Sequence, residues 1–456
     1  MINGQISHWW RSTGGPDRRA SLPGATEADV AIVGAGYTGL WTAYYLKKAK
    51  PALRVVVIDA QHVGYGASGR NGGWLTNSIT GGREQFAASH GRGEAERFQL
   101  AMNDTIDEVI RVAAEEGIDA DIVKGGEYNV AYTPAQEARA RAAAAAEAAW
   151  AHADVSLLER EESLDRLRIE GTRAATWHPH AARIHPAKLV RGLADAVERL
   201  GVEIYEGTRA LEIRPHRVIT DRGDLRAEFV VRATEGYTAG LKGLRRLWLP
   251  MNSSMIVTEP LPADFWDAVG WEGREVVGDY AHVYIYAQRT ADDRIAIGGR
   301  GVPYRWGSRT DVSGETARDT VVHLRKVLRR LLPETAGTQI DHTWSGVLGV
   351  PRDWTATVGL DRASGIGWAG GYVGTGVATT NLSGRTLTEL ILGEDGPLAG
   401  LPWVDHRVRL WEPEPLRWIA THGLYAAYGM ADRSESRGRA TTSPIATAAD
   451  VVTGRH

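Results

Sequence analysis

The chain has 456 residues, with 53 Lys or Arg against 56 Asp or Glu and a formal net charge of −3. That length exceeds one ordinary core, so more than one domain is expected, and the lack of a basic excess argues against a nucleic-acid partner. The absence of cysteine excludes disulfides, thiolate metal sites, iron–sulfur clusters, thiol nucleophiles and a thiol-linked cofactor. The N-terminal MINGQISHWWRSTGG has no apolar core of signal-peptide length. No apolar run approaches the roughly 18 residues of a membrane span, so a soluble, cytoplasmic protein with no membrane partner is expected.

Residues 29–33 (DVAIV) read as a buried strand, 38–48 as a helix and 54–59 (RVVVID) as a second strand. This βαβ unit implies a parallel sheet. Its turn carries G-x-G-x-x-G as Gly34, Gly36 and Gly39, and Asp59 lies twenty residues beyond Gly39, where a ribose-binding carboxylate belongs. Gly34 permits the tight turn, Gly36 lets a pyrophosphate approach the backbone, and Gly39 lets the helix pack on the strand. The helix N-terminus then offers free N–H groups to the phosphates. Next comes GYGASGRNGGW (64–74), in which five of eleven residues are glycine.

Residues 95–117 read as a helix, Gly125–Tyr132 as a strand, 135–153 as an Ala-rich helix and 187–200 as an amphipathic helix. VEIYEG reads as a strand, ALEIRPHRVITDRG as a hairpin and EFVVRAT (228–234) as a further strand. From 251 the pattern turns to two-periodic strands (MNSSMIVTE, AHVYIYAQ, RIAIGG, HTWSGVLGV) with one helix at 313–332, which predicts a mostly antiparallel sheet. Residues 365–393 return to strand, glycine loop and helix. The Ser-, Thr-, Ala- and Arg-rich end from 431 reads as disordered. Met251 and Met255 read as core. GIGWAG (365–370) also matches G-x-G-x-x-G, but WAGGY behind it reads as strand, so it is taken as a turn. VVGDYAH (276–282), with Gly278–Asp279, reads as a turn before a sheet. His178, His180 and His185 lack metal-site spacing and a companion carboxylate, so no metal is expected.

Four segments in this order, ADVAIVGAGYTGL (28–40), GYGASGRNGGW (64–74), HPAKLVRGLADAVERLGVEIYEGTRALEI (185–213) and WAGGYVGTGVATTNLSGRTLTELILG (368–393), resemble the D-amino-acid oxidase family of FAD-dependent oxidoreductases. Within it they look most like the γ-glutamylputrescine oxidase branch, with glycine and sarcosine oxidases more distant. The resemblance implies an α/β fold: a Rossmann-like, glutathione-reductase-like FAD domain (8–84, 180–250 and 350–400) with an inserted α+β substrate domain (85–179 and 251–349) on a mostly antiparallel sheet. Residues 401–430 would be an extension packed on the FAD domain, and 431–456 a disordered tail.

The resemblance also assigns the FAD contacts. Gly34, Ala35, Gly36, Tyr37, Thr38 and Gly39 would meet the pyrophosphate; Asp59, Ala60 and Gln61 the ribose; Ala210 the adenine; Ala233 and Thr234 the ADP half. Gly66, Ala67, Ser68, Gly69, Arg70, Asn71, Gly72 and Gly73 would form a second flavin cradle, with the N–H groups of its glycines open to the cofactor. Gly371, Tyr372, Gly374, Thr375, Gly376, Val377 and Ala378 would lie along the isoalloxazine. A helix N-terminus there suits the charge that develops on a flavin accepting a hydride. With no Cys in the chain and no His in 64–74, FAD is expected to be non-covalent. The implied reaction is oxidation of a small-molecule amine or amino acid with O2 as acceptor. A same-fold dehydrogenase, a flavin monooxygenase (suggested by Gly278–Asp279) and a non-catalytic flavin protein are the alternatives, and Lys124 and Lys188 are guesses for a residue governing O2 reactivity. Substrate-pocket candidates are Tyr128, His185, Tyr284, Tyr286, Trp344 and Tyr372. Close relatives often carry Tyr-Tyr-Arg where this chain has Tyr286-Ala287-Gln288. Arg289 comes one position late and so belongs to the opposite strand face, leaving Arg300 as the weaker substitute.

Overall fold

A computed structural model describes residues 1–299, 301–310 and 313–453, so Arg300 lies outside the described residues. The strand Thr26–Val33 is flanked in parallel by Val55–Ile58 and by Gly223–Arg232, and Ile366–Gly370 extends the sheet in parallel beyond the latter. Val30, Ala31 and Ile32 and the whole of Val55–Ile58 are fully buried, as β-branched runs covered on both faces should be. The helices Tyr37–Ala49 and Gly376–Leu392 pack against each other over this sheet. They cross closely because Gly384 has no side chain: a Cβ there would lie 2.7 Å from the Trp41 carbonyl carbon and 2.8 Å from the Thr42 nitrogen.

The second sheet has nine strands and is antiparallel except at two joints. Its centre is Leu249–Thr258 paired along its length with Ile340–Val350. The molecule is therefore α/β, with a nucleotide-type sheet that is parallel at its centre and has antiparallel strands added beside it, and an inserted, mostly antiparallel one.

Several local expectations change. VVGDYAH is not a turn: Val276–Asp279 is a strand, held in parallel register against Glu127–Ala131. AHVYIYAQ is a strand only over Tyr286–Arg289, and 281–285 form a loop whose shape is set by Asp279, which accepts from the Ile285 N–H at 3.1 Å. The helix expected at 313–332 runs Arg318–Leu331. Gly365, in the left-handed region at φ +67°, makes the turn that opens Ile366–Gly370.

Within the expected disordered stretch the described residues form helices, the end of Leu416–Glu435 and then Pro444–Thr453. Composition concealed this, since the small residues Ala431, Ala446 and Ala449 pack around Tyr428. The first of these helices and the residues leading into it meet both parts of the chain: Arg417 donates to the Arg245 carbonyl (3.5 Å), and Glu414, just before the helix, accepts from the Tyr304 hydroxyl (2.7 Å). Among the described residues no helix is long and apolar enough to cross a membrane.

Candidate active site

A cavity of about 280 Å³ lies at the C-terminal ends of the parallel strands, where open α/β sheets bind ligands. Gly34, Gly36, Tyr37 and Thr38 form one wall. Gly34 adopts φ +113°, and a Cβ there would stand 2.4 Å from the Ala233 carbonyl oxygen. A Cβ on Gly39 would stand 2.0 Å from the Gly34 oxygen, so this glycine lets the helix start against the strand. Ile58, Asp59, Ala60 and Gln61 form the next wall. The Asp59 carboxylate accepts from the N–H of Ala35 (2.9 Å) and Gln61 (2.8 Å). Burial pushes its pKa up to about 6, and those two N–H groups restrain the rise. Ala210, Ala233 and Thr234 line the same space.

The glycine-rich segment divides between roles. Gly66, Ala67, Ser68 and Asn71 line this cavity, and the Ser68 hydroxyl accepts from the Tyr37 N–H at 2.9 Å. Gly69 and Gly73 line neither cavity and do not offer open N–H groups. The Gly69 N–H donates to the Gly66 carbonyl at 3.3 Å, and its face packs under Trp10; the Gly73 N–H donates to Asn71 Oδ1 at 2.7 Å. Arg70 is buried away from this cavity. It donates to the carbonyls of Tyr65 (2.8 Å) and Ser345 (3.2 Å) and stacks over the Tyr65 ring.

At the other end, Tyr372, Gly374, Gly376 and Val377 close the cavity, while Ala35, Gly371 and Ala378 do not line it. A Cβ on Gly374 would meet nothing nearer than Leu348 Cδ1 at 4.0 Å, so this backbone faces open space. The helix that follows has no side-chain cap at Thr375, which leaves first-turn N–H groups available. These glycine approaches, the ribose-side carboxylate and the uncapped helix fit FAD.

Sequence reasoning missed Glu235. It follows the strand end in a left-handed conformation (φ +43°) and lines the cofactor cavity. Its carboxylate accepts from the N–H groups of Gly371 and Tyr372 (both 3.1 Å) and of Gly349. Burial pushes its pKa up to about 7 against the pull of those donors. The one available signal was an acid placed directly after a buried strand.

A larger cavity, about 740 Å³, meets the first at Ala67, Asn71, Leu348, Gly374 and Val377, which line both. Gly72, Arg70 and Thr375 line the larger one. So do Tyr284 and Tyr286 among the substrate candidates; the Tyr286 hydroxyl is 2.7 Å from Ser253 Oγ and its ring lies against Gly72.

The other candidates take structural positions. Tyr128 is fully buried and donates to the Ser163 carbonyl at 3.3 Å. Trp344 donates to the Arg70 carbonyl at 2.9 Å within a cluster with His8 and Trp9. His185 caps Pro186–Arg199, accepting from the Lys188 N–H, and burial lowers its pKa to about 4. The Tyr372 hydroxyl lies 3.0 Å from Thr38 Oγ1 and 3.1 Å from Ser383 Oγ, so it joins the two cavity helices. Lys124 and Lys188 line neither cavity and pair with Asp107 and Asp121.

The register argument for Arg289 holds. It turns away to stack over Trp266 (4.0 Å) and pair with Glu272 and Asp293. Gln288 faces the glycine segment instead, donating to the carbonyls of Gly72 (2.8 Å) and Ile184 (3.1 Å).

Two carboxylates stand on the larger cavity's wall: Glu127, which the sequence did not single out, and Asp279, read there only as part of a turn. Burial would raise Glu127, but hydrogen bonding and charge from His178, with donors from Thr76 and Asn129, outweigh it and bring the pKa to about 2. Asp279, by contrast, is pushed up to about 6 by burial.

Comparison with known proteins agrees with this geometry. The family model described as "FAD dependent oxidoreductase" (DAO) matches residues 29–390. The chain is 30% identical over 393 residues to "Probable oxidoreductase OrdL" of Rhizobium meliloti (strain 1021), covering 83% of this chain and 86% of that protein. It is 31% identical over 376 residues to "Gamma-glutamylputrescine oxidoreductase" of Escherichia coli (strain K12), covering 80% and 84%. Among solved structures, glycine oxidase from Geobacillus kaustophilus superposes with a TM-score of 0.68 at 22% identity, over 84% of this chain and all of that one. With two-cavity geometry, cofactor cradle and family match in agreement, the chain belongs to the DAO family of FAD-dependent oxidoreductases.

Proposed function

We propose that this protein oxidises the C–N bond of an amine or amino acid held in the larger cavity. The product is an imine, which water hydrolyses to a carbonyl compound and ammonia or a smaller amine. Non-covalently bound FAD would supply the two-electron acceptor for the hydride that leaves the carbon next to nitrogen, with O2 taking up the electrons as H2O2. The observation that carries this reading is the junction of the two cavities at Ala67, Asn71, Leu348, Gly374 and Val377. A substrate in one cavity can there meet a cofactor ring in the other. The relatives named for γ-glutamylputrescine and glycine oxidation point to a C–N bond.

The protein's own part is positional and electrostatic. Leu348, Val373 and Val377 make an apolar surround at the junction that limits water. The uncapped N-terminus of Gly376–Leu392 presents N–H groups and a partial positive charge where negative charge develops. Tyr286, held by Ser253, forms a fixed wall beside Gly72. No acid or base need move during the transfer, provided the amine arrives neutral.

The test is anaerobic mixing of the holoprotein with a panel of polyamines, γ-glutamyl amines, N-methyl amino acids, D-amino acids and aminophosphonates. At least one member should bleach the flavin absorbance without a nicotinamide, and air should restore it with release of peroxide. Bleaching by NADPH alone would overturn the reading. Bleaching by an amine without peroxide would move the electrons to another acceptor.

A further inference from the structure

The family match ends at residue 390, yet part of the larger cavity is built from chain beyond it. Thr442 and Asp450 line that cavity together with Arg139, Ala142 and Ala143 of the helix Pro134–Glu147 and the loop that follows Asp279. None of these residues lines the cofactor cavity.

The segment is anchored at Glu435, itself only 1% exposed. Its carboxylate accepts from Arg139 Nη2 (2.7 Å) and the Ser443 N–H (2.8 Å), and lies 2.9 Å from His282 Nε2. Asp432, one helical turn earlier, accepts from the N–H groups of His282 (2.8 Å) and Val283 (3.0 Å). Arg139 also donates to the Tyr280 carbonyl (2.7 Å) and to Thr442 Oγ1 (3.2 Å). These bonds tie three cavity-wall elements into one unit, and removing one partner of a buried pair leaves the other uncompensated. Although His282, Asp432 and Glu435 are close enough together to hold a metal ion, Arg139 and backbone donors already satisfy the two acids.

We infer that the C-terminal segment around Thr442 is a specificity wall, contacting the distal part of large amines and leaving small ones unaffected. The inference rests on the larger cavity being the amine site. At about 740 Å³ the cavity mixes aromatic and aliphatic walls (Trp74, Tyr284, Leu348) with polar and charged ones (Glu127, Asn129, Asp279), and its size favours large amines over methylamine-sized ones. Because none of the wall residues lines the cofactor cavity, its loss should change binding and spare the reaction.

The experiment compares methylamine with 4-phenylbutylamine on the full-length holoprotein and on two variants, E435Q and T442W. Binding is read from the amine-induced shift of the flavin absorbance, and reaction from bleaching. E435Q removes the charge that anchors the wall. T442W fills cavity space from a half-buried turn position, so the test stands even if E435Q fails to fold. The intact protein should bind 4-phenylbutylamine at least tenfold more tightly than methylamine. Each variant should lose at least tenfold of that affinity, while methylamine binding changes less than twofold and flavin content is unchanged. Unchanged affinities in T442W, equal losses for both amines, or no preference in the intact protein would overturn the inference. The expected binding pattern without any bleaching would instead overturn the oxidation reading and leave the wall in place.

Discussion

Glu235 is the residue on which the cofactor-facing backbone converges. Three N–H groups from two separate segments donate to one buried carboxylate. E235A leaves those donors without an acceptor, which costs about 1–3 kcal/mol of stability. It should also reduce the flavin-to-protein ratio of the purified protein, because two of the freed N–H groups, those of Gly371 and Tyr372, belong to the loop beside Gly374. Charge adds a second, separable expectation. Burial raises the Glu235 pKa from its ordinary 4.5 to about 7. A raised carboxyl contributes stability that is complete below the unfolded-state value and lost as pH climbs through the folded one. E235Q cannot ionise, so in flavin-free protein its thermal midpoint should gain on the parent's between pH 5 and pH 8. A constant difference across that range would contradict the assigned pKa. Its place after a buried strand is the only mark such a residue leaves in the sequence, since its role depends on segments more than a hundred positions away. Gly34, Gly36, Gly39 and Asp59 were legible for the opposite reason: their contacts are local, and spacing alone fixes the turn. Tyr128, Trp344 and His185 misled because residue type signals a possible pocket but not which way the side chain faces.

The element-scale feature that sets the site is the crossing of Tyr37–Ala49 and Gly376–Leu392, the two helices whose N-termini face the cofactor cavity. Gly384 costs intrinsic helix stability of about 1 kcal/mol relative to Ala, and it remains because the Trp41–Thr42 backbone lies where a Cβ would go. G384V should therefore destabilise the protein by about 1–3 kcal/mol through overpacking. It should also weaken FAD retention, since separating the helices pulls Tyr372 away from Thr38 or Ser383. Denaturant unfolding and the flavin absorbance ratio measure the two effects. A stable, fully flavinated G384V would show that the crossing does not set the cradle. A glycine inside a strongly helical run is a readable signal of close approach, but the sequence does not say what approaches. The strand Val276–Asp279 and the helices after Pro415 illustrate the same limit. Gly-Asp suggests a turn and Ala/Ser/Thr-rich sequence suggests disorder, until partners such as Glu127–Ala131 and Tyr428 are in place.

Across the whole molecule, the cofactor cavity draws its walls mainly from three distant stretches of chain, 33–71, 208–241 and 347–380, with Thr310 beside them. The order of strands, glycine loops and helices made this discontinuous design readable, because a nucleotide-type unit both opens and closes the sequence. A ligand that binds only when all three stretches are assembled stabilises the native state by mass action, by about 4 kcal/mol at a thousandfold excess over its dissociation constant. The chain has no cysteine and residues 64–74 hold no histidine, so the attachment is expected to be reversible. Acid precipitation should then release all the yellow colour into the supernatant. Flavin-free protein should melt in a single transition at a lower temperature than the holoprotein, and the midpoint should climb steadily with added FAD. If the flavin stays with the precipitate, the cofactor is covalent. If added FAD leaves the midpoint unchanged, the three stretches do not assemble around it, and the coupling drawn from the cavity walls is wrong.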